Sequence, residues 1–161
     1  MKIRNGFISN SSSASYLVKI KASMEDFTSK ILEQYSWNDY FYKERFEESV
    51  REDIEELKEN LKQKCTETQG FFYDRKKDLK KSLKNKEVLL RKLKKLKDIE
   101  FVKVVLEYFG IKVSSSSTEI FLNQETVMHN DFNTGMCDLF RELVLFFMFD
   151  TKYKVECKRE D

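Results

Sequence analysis

The chain contains no proline and only four glycines among its 161 residues. Collagen-like chains, proline-rich linkers and many-turned β-sandwiches depend on these two residue types, so the composition argues against all three classes. It favours long uninterrupted helices. Hydrophobic residues make up 40% of the chain, which is enough for one domain with a substantial core.

Cysteines are also few, and no apolar run is long. Cys65, Cys137 and Cys157 are odd in number and widely spaced, which does not fit the disulfide framework of a small secreted protein. Residues 1–10 lack the apolar run of a signal peptide. The densest apolar stretch, Leu139–Phe149, is interrupted by two charged residues and is shorter than the ~20 residues that span a bilayer. We therefore expect a reduced, cytosolic protein with no membrane partner.

The chain has a single histidine, His129, and lacks the common catalytic and metal motifs. It has no phosphate-binding glycine loop and no CxxC or HxxxH spacing. We expect no metal, no cofactor and no enzymatic activity. A cysteine-dependent enzyme stays open as an alternative, because His129 and Asp131 precede Cys137 closely and a cysteine nucleophile needs a nearby base.

The hydrophobic pattern changes from strand-like to helical and back again. Alternation in Ser15–Ala22 predicts a strand, Ser23 suits the N-cap of a helix, and Gly110 suits a helix end. The strands are predicted at Ser15–Ala22, Ile111–Val113, Thr118–Leu122, Glu125–His129 and Thr151–Lys158. The helices are predicted at 24–35, 38–64, 72–97, 101–108 and Asn133–Phe149.

These elements predict an α+β fold with a small, mainly antiparallel sheet, a buried C-terminal helix and a long inserted antiparallel coiled-coil hairpin. Residues 1–161 are expected to form one domain, with 38–97 as the hairpin insertion. The last helix is apolar on most sides, which is typical of a buried helix. Its residues Phe146, Phe147 and Phe149 are accordingly expected in the core.

Two narrow apolar seams predict that the two helices of the insertion pack on each other. The seams are Phe46, Val50, Ile54, Leu57 and Leu61 in the first helix, and Leu79, Leu83, Leu90 and Leu93, interrupted by Lys86, in the second. Residues 43–64 carry a net charge of −2, residues 74–97 carry +9 and residues 98–161 carry −5. The two helices are therefore expected to attract each other across their flanks.

The first 18 residues, MKIRNGFISNSSSASYLV, form an unusual leader. The segment resembles the leader RNGFVSNSSSSSF found at the start of many small uncharacterised proteins of tailed bacteriophages and related mobile elements. Ile8, Ala14 and Tyr16 stand where that leader has Val, Ser and Phe. The resemblance implies a phage-encoded accessory protein and implies nothing about catalysis.

Two surfaces are candidates for binding. Aromatic side chains at the base and tip of the hairpin are typical anchors of protein interfaces, and they are Trp37, Tyr40, Tyr42, Phe71, Phe72 and Tyr73. Basic side chains of the second helix recur at helical spacing and suit phosphate contacts, and they are Lys77, Lys80, Lys81, Lys84, Arg91 and Lys95.

We expect a non-enzymatic protein that binds a host or phage macromolecule, with a protein as the expected partner, in the host cytoplasm. Inhibition of a host defence or housekeeping factor is one outcome of such binding. Nucleic-acid binding through residues 75–97 is the first alternative, and a structural role in the virion is the second. Leucines cover more than one face of the second helix, which also predicts a weak homodimer. These leucines are Leu89, Leu90, Leu93 and Leu96.

Overall fold

The structure is a computed structural model, and it describes residues 13–33, 39–63, 71–127 and 138–160. Within these residues it contains five α-helices and four strands, so the α+β prediction is confirmed. The strands are β1 (Ser13–Ile20), β2 (Ile111–Ser115), β3 (Ile120–Val127) and β4 (Val155–Glu160). The helices are α1 (Met24–Glu33), α2 (Lys43–Gln63), α3 (Phe71–Leu93), α4 (Asp98–Tyr108) and α5 (Asp138–Phe149). A 3₁₀ turn at Asp39–Phe41 precedes α2.

The chain divides into two compact units. The sheet unit comprises Met1–Phe27 and Leu106–Asp161, and the helical unit comprises Thr28–Val105. The boundaries fall inside α1 and α4. The helical unit contains all of 38–97, the predicted insertion, together with the flanking parts of these two helices.

The four strands form one sheet in the order β2-β3-β1-β4, with every neighbouring pair antiparallel. β1 and β2 are both antiparallel to β3, so they run parallel to each other with β3 between them. This is the split β-α-β arrangement. The first and last strands of the chain are neighbours in the sheet, with Val18 opposite Cys157.

One face of the sheet forms the core of its unit, because side chains alternate across a strand. Val18 and Ile20 of β1 lie opposite Leu122 and Ile120 of β3, and all four are fully buried. From α5, Phe147 stacks on Phe27 of α1 with their ring centroids 4.9 Å apart.

Two helix ends in the sheet unit, the start of α1 and the end of α4, are formed by the residues predicted for them. The backbone N–H of Asp26 donates to Ser23 Oγ at 3.1 Å, which makes Ser23 the N-cap of α1. After α4, Gly110 has φ +76°, a conformation that favours glycine, and its N–H donates to the carbonyl of Glu107 at 3.0 Å.

The helical unit has a core of its own. Phe46 and Val50 of α2 and Leu93 of α3 are buried, as are Phe101 and Val105 of α4. The rings of Phe46 and Phe101 meet edge to face, with centroids 5.9 Å apart.

Some sequence predictions need correction. Thr118–Leu122 and Glu125–His129 were predicted as separate strands, but β3 runs without a break from Ile120 to Val127, because Asn123 and Gln124 continue the ladder to β1. Phe149 was predicted in the core, but its side chain is 83% exposed. It lies on the outer face of α5, which buries one face and exposes the other.

The second insertion helix ends at Leu93 rather than at Lys97, and α4 begins at Asp98. The start predicted for the last helix, at Asn133, lies outside the described residues. The coiled-coil geometry of the hairpin stays a prediction.

Candidate binding surface on the α2–α3 helix pair

α2 and α3 pack against each other in antiparallel directions. Glu47 lies 4.0 Å from Lys94 Nζ, and further along α2 Asp53 bonds to Lys86, so residue numbers rise in one helix as they fall in the other. Phe46, Val50 and Ile54 of the predicted seam are buried, whereas Leu57 and Leu61, nearer the end of α2, are half-buried. On α3, Leu93 is buried, and Leu79, Leu83 and Leu90 are half-buried.

The outer side of α3 carries a row of cations, which we call the basic stripe: Lys77, Lys81, Lys84 and Arg91. These four residues follow one another at helical spacing, about half a turn away from the seam residues Leu79, Leu83 and Leu90. All four are exposed. Among the side chains that the structure describes, no carboxylate forms an ion pair with Lys81 or Lys84.

The other two cations of the predicted nucleic-acid set are exposed as well. Lys80 lies on α3 beside the basic stripe, and Lys95 follows the end of the helix. Arg91 differs from the lysines because its Nε donates to the carbonyl of Glu87 at 3.2 Å. The structure therefore brings the α3 members of the set onto the solvent side of one helix.

α2 presents mostly carboxylates to solvent. Its exposed acidic residues are Glu44, Glu48, Glu52, Glu55, Glu56 and Glu59. Lys58 Nζ donates to Glu55 at 2.8 Å, and this hydrogen bond is the main cause that lowers the pKa of Glu55 and raises the pKa of Lys58. Arg51 similarly binds Glu47 at 2.6 Å. Part of the acidic charge of α2 is thus neutralised within the helix.

Between the two helices lies an open groove with a volume of about 620 Å³. Its apolar floor is formed by Ile54, which is buried, and Leu90, which is half-buried. Charged side chains of both signs form its rim, and they are Arg51, Glu55, Lys58, Glu87 and Arg91. Sequence reasoning missed this groove, although the spacing of 51, 54, 55 and 58 places those residues on one face of α2.

The aromatic candidates divide between the two ends of the helix pair. Tyr40 and Tyr42, at the start of α2, are 39% and 45% exposed. Phe71, Phe72 and Tyr73 begin α3, and Trp37 lies outside the described residues. Because the helices are antiparallel and α2 has 21 residues, the two groups are about 30 Å apart. The starts of the two helices therefore lie at opposite ends of the pair, and the role of these aromatic residues as anchors stays a prediction.

Three residues carry the alternative of a cysteine enzyme, and they lie outside the described part of the chain: His129, Asp131 and Cys137. Cys65 lies outside it as well. Cys157, on β4, is exposed and carries a free thiol. Within the described ranges, no cluster of histidine, cysteine and carboxylate side chains is arranged to hold a metal ion. In the same ranges, no helix combines the length and apolar character needed to cross a bilayer.

No protein-family model, curated protein or solved structure matches this chain.

Proposed function

We propose that the chain is a non-enzymatic, phage-type accessory protein that binds a protein of the host or the phage through the groove between α2 and α3. The observation that carries this proposal is the groove itself, with an apolar floor at Ile54 and Leu90 and a charged rim. Protein interfaces combine an apolar centre with a polar rim and are enriched in arginine. Arg51 and Arg91 supply that residue type on opposite walls.

The rim favours a protein over a polyanion. Glu55 and Glu87 line the groove beside the cations, and like charge would repel a phosphate backbone there. A protein surface carries charges of both signs and can therefore pair with both the cations and the carboxylates of the rim. The leader resemblance supports a phage origin, and in that setting the partner is a host defence or housekeeping factor in the host cytoplasm. Assembly into the virion is the alternative role.

The test is capture of partners from a host lysate by the intact chain and by two charge-matched variants. Arg51→Glu with Lys58→Glu changes the groove rim and leaves the basic stripe intact, and Lys77→Glu with Lys81→Glu changes the basic stripe by the same total charge. We expect the partner to be lost with the groove variant and kept with the stripe variant. Recovery of the same proteins by all three chains would overturn the proposal.

A second candidate function, nucleic-acid binding, is favoured by the basic stripe. Lys77, Lys81 and Lys84 are exposed and repeat at one-turn spacing, which allows phosphate contacts with release of counterions. This candidate predicts an affinity for duplex or single strands that falls steeply with salt. Reversing the three lysines to glutamate should abolish the shift in a gel at low salt. Absence of any shift for the unchanged chain removes this candidate.

A further inference from the structure

The groove between α2 and α3 runs along the axes of the two helices. Its α2 residues, from Arg51 to Lys58, follow the spacing i, i+3, i+4 and i+7, and its α3 residues, from Glu87 to Arg91, follow i, i+3 and i+4. Each side of the groove is therefore one edge of a helix. A channel that lies lengthwise between two helices suits a third helix, as in the helix-in-groove mode of recognition.

The backbone on the α2 side of the groove has no group left for a partner to bind. Arg51 and Lys58 both lie more than about four residues from either end of α2, so the N–H and C=O groups between them are bonded within the helix. An extended segment therefore cannot add here as a strand adds at the edge of a sheet. A partner has to be recognised by side chains, and the charges on the two sides of the groove decide which side chains fit.

The α3 side of the groove belongs to a longer line of mostly basic residues, which we call the α3 wall: Lys80, Lys84, Glu87, Arg91 and Lys94. They follow one another at alternating spacings of four and three residues, so they lie along one edge of the helix. The four cations are all exposed. Among the described side chains, no carboxylate forms an ion pair with Lys84 or Arg91. The α3 wall therefore carries unneutralised positive charge along the groove.

The α2 side of the groove is neutralised by its own ion pairs. Arg51 binds Glu47 at 2.6 Å. Lys58 donates to Glu55 at 2.8 Å. The negative charge of Glu87 also acts on Lys58 across the groove, where it adds to the larger effect of Glu55 in raising the pKa of Lys58. The unbalanced charge of the groove therefore comes from α3, and it is positive.

We propose that the groove receives an acidic amphipathic helix of the partner protein, with apolar side chains over Ile54 and Leu90 and carboxylates along the α3 wall. This inference rests on the function proposed above and adds the chemistry of the partner. Charge complementarity selects the occupant, because the cations of the α3 wall attract carboxylates, whereas the paired charges on α2 favour neither sign. A basic helix would be repelled by one side of the groove without being attracted by the other.

The test is fluorescence anisotropy of the full chain with three labelled synthetic peptides of about 20 residues, or roughly 30 Å of helix. The first has leucines on one helical face and glutamates on both flanks. The second has lysine in place of every glutamate, and the third is the acidic peptide with a proline at its centre, which breaks the helix. We expect the acidic helix to bind at least about tenfold more tightly than the other two peptides.

Two charge-matched variants of the chain locate the site. Lys84→Glu with Arg91→Glu reverses two cations of the α3 wall and should weaken binding of the acidic peptide at least about tenfold. Lys81→Glu with Lys92→Glu makes the same change in total charge at exposed positions of α3 that lie about 100° around the helix from the wall. This control should change the affinity by less than about twofold.

The inference is overturned if the acidic peptide does not bind, if the basic or the proline peptide binds equally well, or if the wall variant keeps the full affinity. Two other occupants would overturn it as well. A labelled single strand of DNA that binds more tightly than the acidic peptide would assign the α3 wall to nucleic acid. A dimer of the unchanged chain that the wall variant disperses, measured by sedimentation equilibrium, would assign it to a second copy.

Failure of this inference and failure of the proposed function give different results. If the chain with a reversed groove rim loses the captured partner, and an excess of acidic peptide does not displace that partner from the unchanged chain, the proposed function stands and the acidic helix is wrong. If the rim variant captures the same proteins as the unchanged chain, the proposed function itself is wrong. Loss of the partner with the rim variant, together with its displacement by the acidic peptide and not by the basic one, supports both.

Discussion

Lys86 of α3 donates a hydrogen bond from Nζ to the carboxylate of Asp53 on α2. Lys86 occupies the position where the leucine seam of α3 is interrupted, and its side chain is only 23% exposed, against 38% for Asp53. A polar pair within an apolar seam favours one alignment of two helices, because a shift would leave the lysine against apolar groups.

We expect Asp53→Ala to lower the free energy of unfolding by about 1 kcal/mol, because it leaves a half-buried lysine without its carboxylate. Replacing both residues with leucine should restore that stability, since the seam then continues unbroken. Urea denaturation of Asp53→Leu, Lys86→Leu and the double leucine variant measures the coupling. Strictly additive effects would show that the ion pair contributes nothing of its own.

Ser23→Ala should destabilise the protein by about 1 kcal/mol, because the N–H of Asp26 loses its acceptor at the start of α1. Ser23→Asp is the matched control, since its carboxylate also accepts from that N–H and suits the positive end of the helix. Thermal unfolding compares the three chains. Equal midpoints for the alanine and aspartate variants would contradict the capping role.

Two phenylalanines of α5 should respond very differently to the same change. Phe147 is fully buried against Phe27, so Phe147→Ala should cost about 3–5 kcal/mol. Phe149 is 83% exposed, so Phe149→Ala should change the stability of the monomer by no more than about 0.5 kcal/mol. Denaturant unfolding at low protein concentration checks both. A large loss with Phe149→Ala would mean that this ring packs on its own chain.

The raised pKa of the Tyr153 hydroxyl predicts that the protein loses stability at alkaline pH. Burial, and then the negative charge of Asp26, raises the pKa of its hydroxyl above the ordinary value of about 10. The pKa of Tyr153 is higher in the folded chain than in the unfolded chain. The contribution of the protonated hydroxyl to the free energy of unfolding is therefore complete below about pH 10 and is lost as the pH rises through the folded pKa.

Tyr153→Phe removes the ionisable group and keeps the ring that meets Phe147 edge to face at 5.1 Å. The unfolding free energy of this variant should therefore fall less between pH 9 and pH 11, about one pH unit on either side of the ordinary tyrosine value. Urea unfolding of both chains at a series of pH values measures the difference in their free energies of unfolding. Identical pH profiles for the variant and the unchanged chain would refute the assignment.

Most helices, the start of α1 and the end of α4 could be predicted from the sequence, because they depend on neighbouring residues. The seam from Phe46 to Ile54 follows from helical spacing, the cap at Ser23 from a side chain three residues before its donor, and the turn at Gly110 from backbone freedom. The α+β class followed from the same local patterns. The basic stripe was visible in the same way, as cations at one-turn spacing.

Other features depended on partners distant in sequence. The continuity of β3 came from β1, which pairs with Asn123 and Gln124 although neither residue favours a strand by itself. The groove forms only where α2 and α3 pack against each other. Lys86 interrupts the leucine seam in the sequence, and its hydrogen bond to Asp53 on the other helix explains why a lysine occupies that position.

The sequence alone determined the order of most helices and strands and which flanks carry charge, because those properties are set by residues within one or two turns. Only the tertiary structure decided which apolar side chains are covered. Phe147 and Phe149 lie two residues apart on the same apolar helix, yet one is buried and the other is 83% exposed. Burial depends on what packs against a face, and that is fixed by contacts between elements far apart in the sequence.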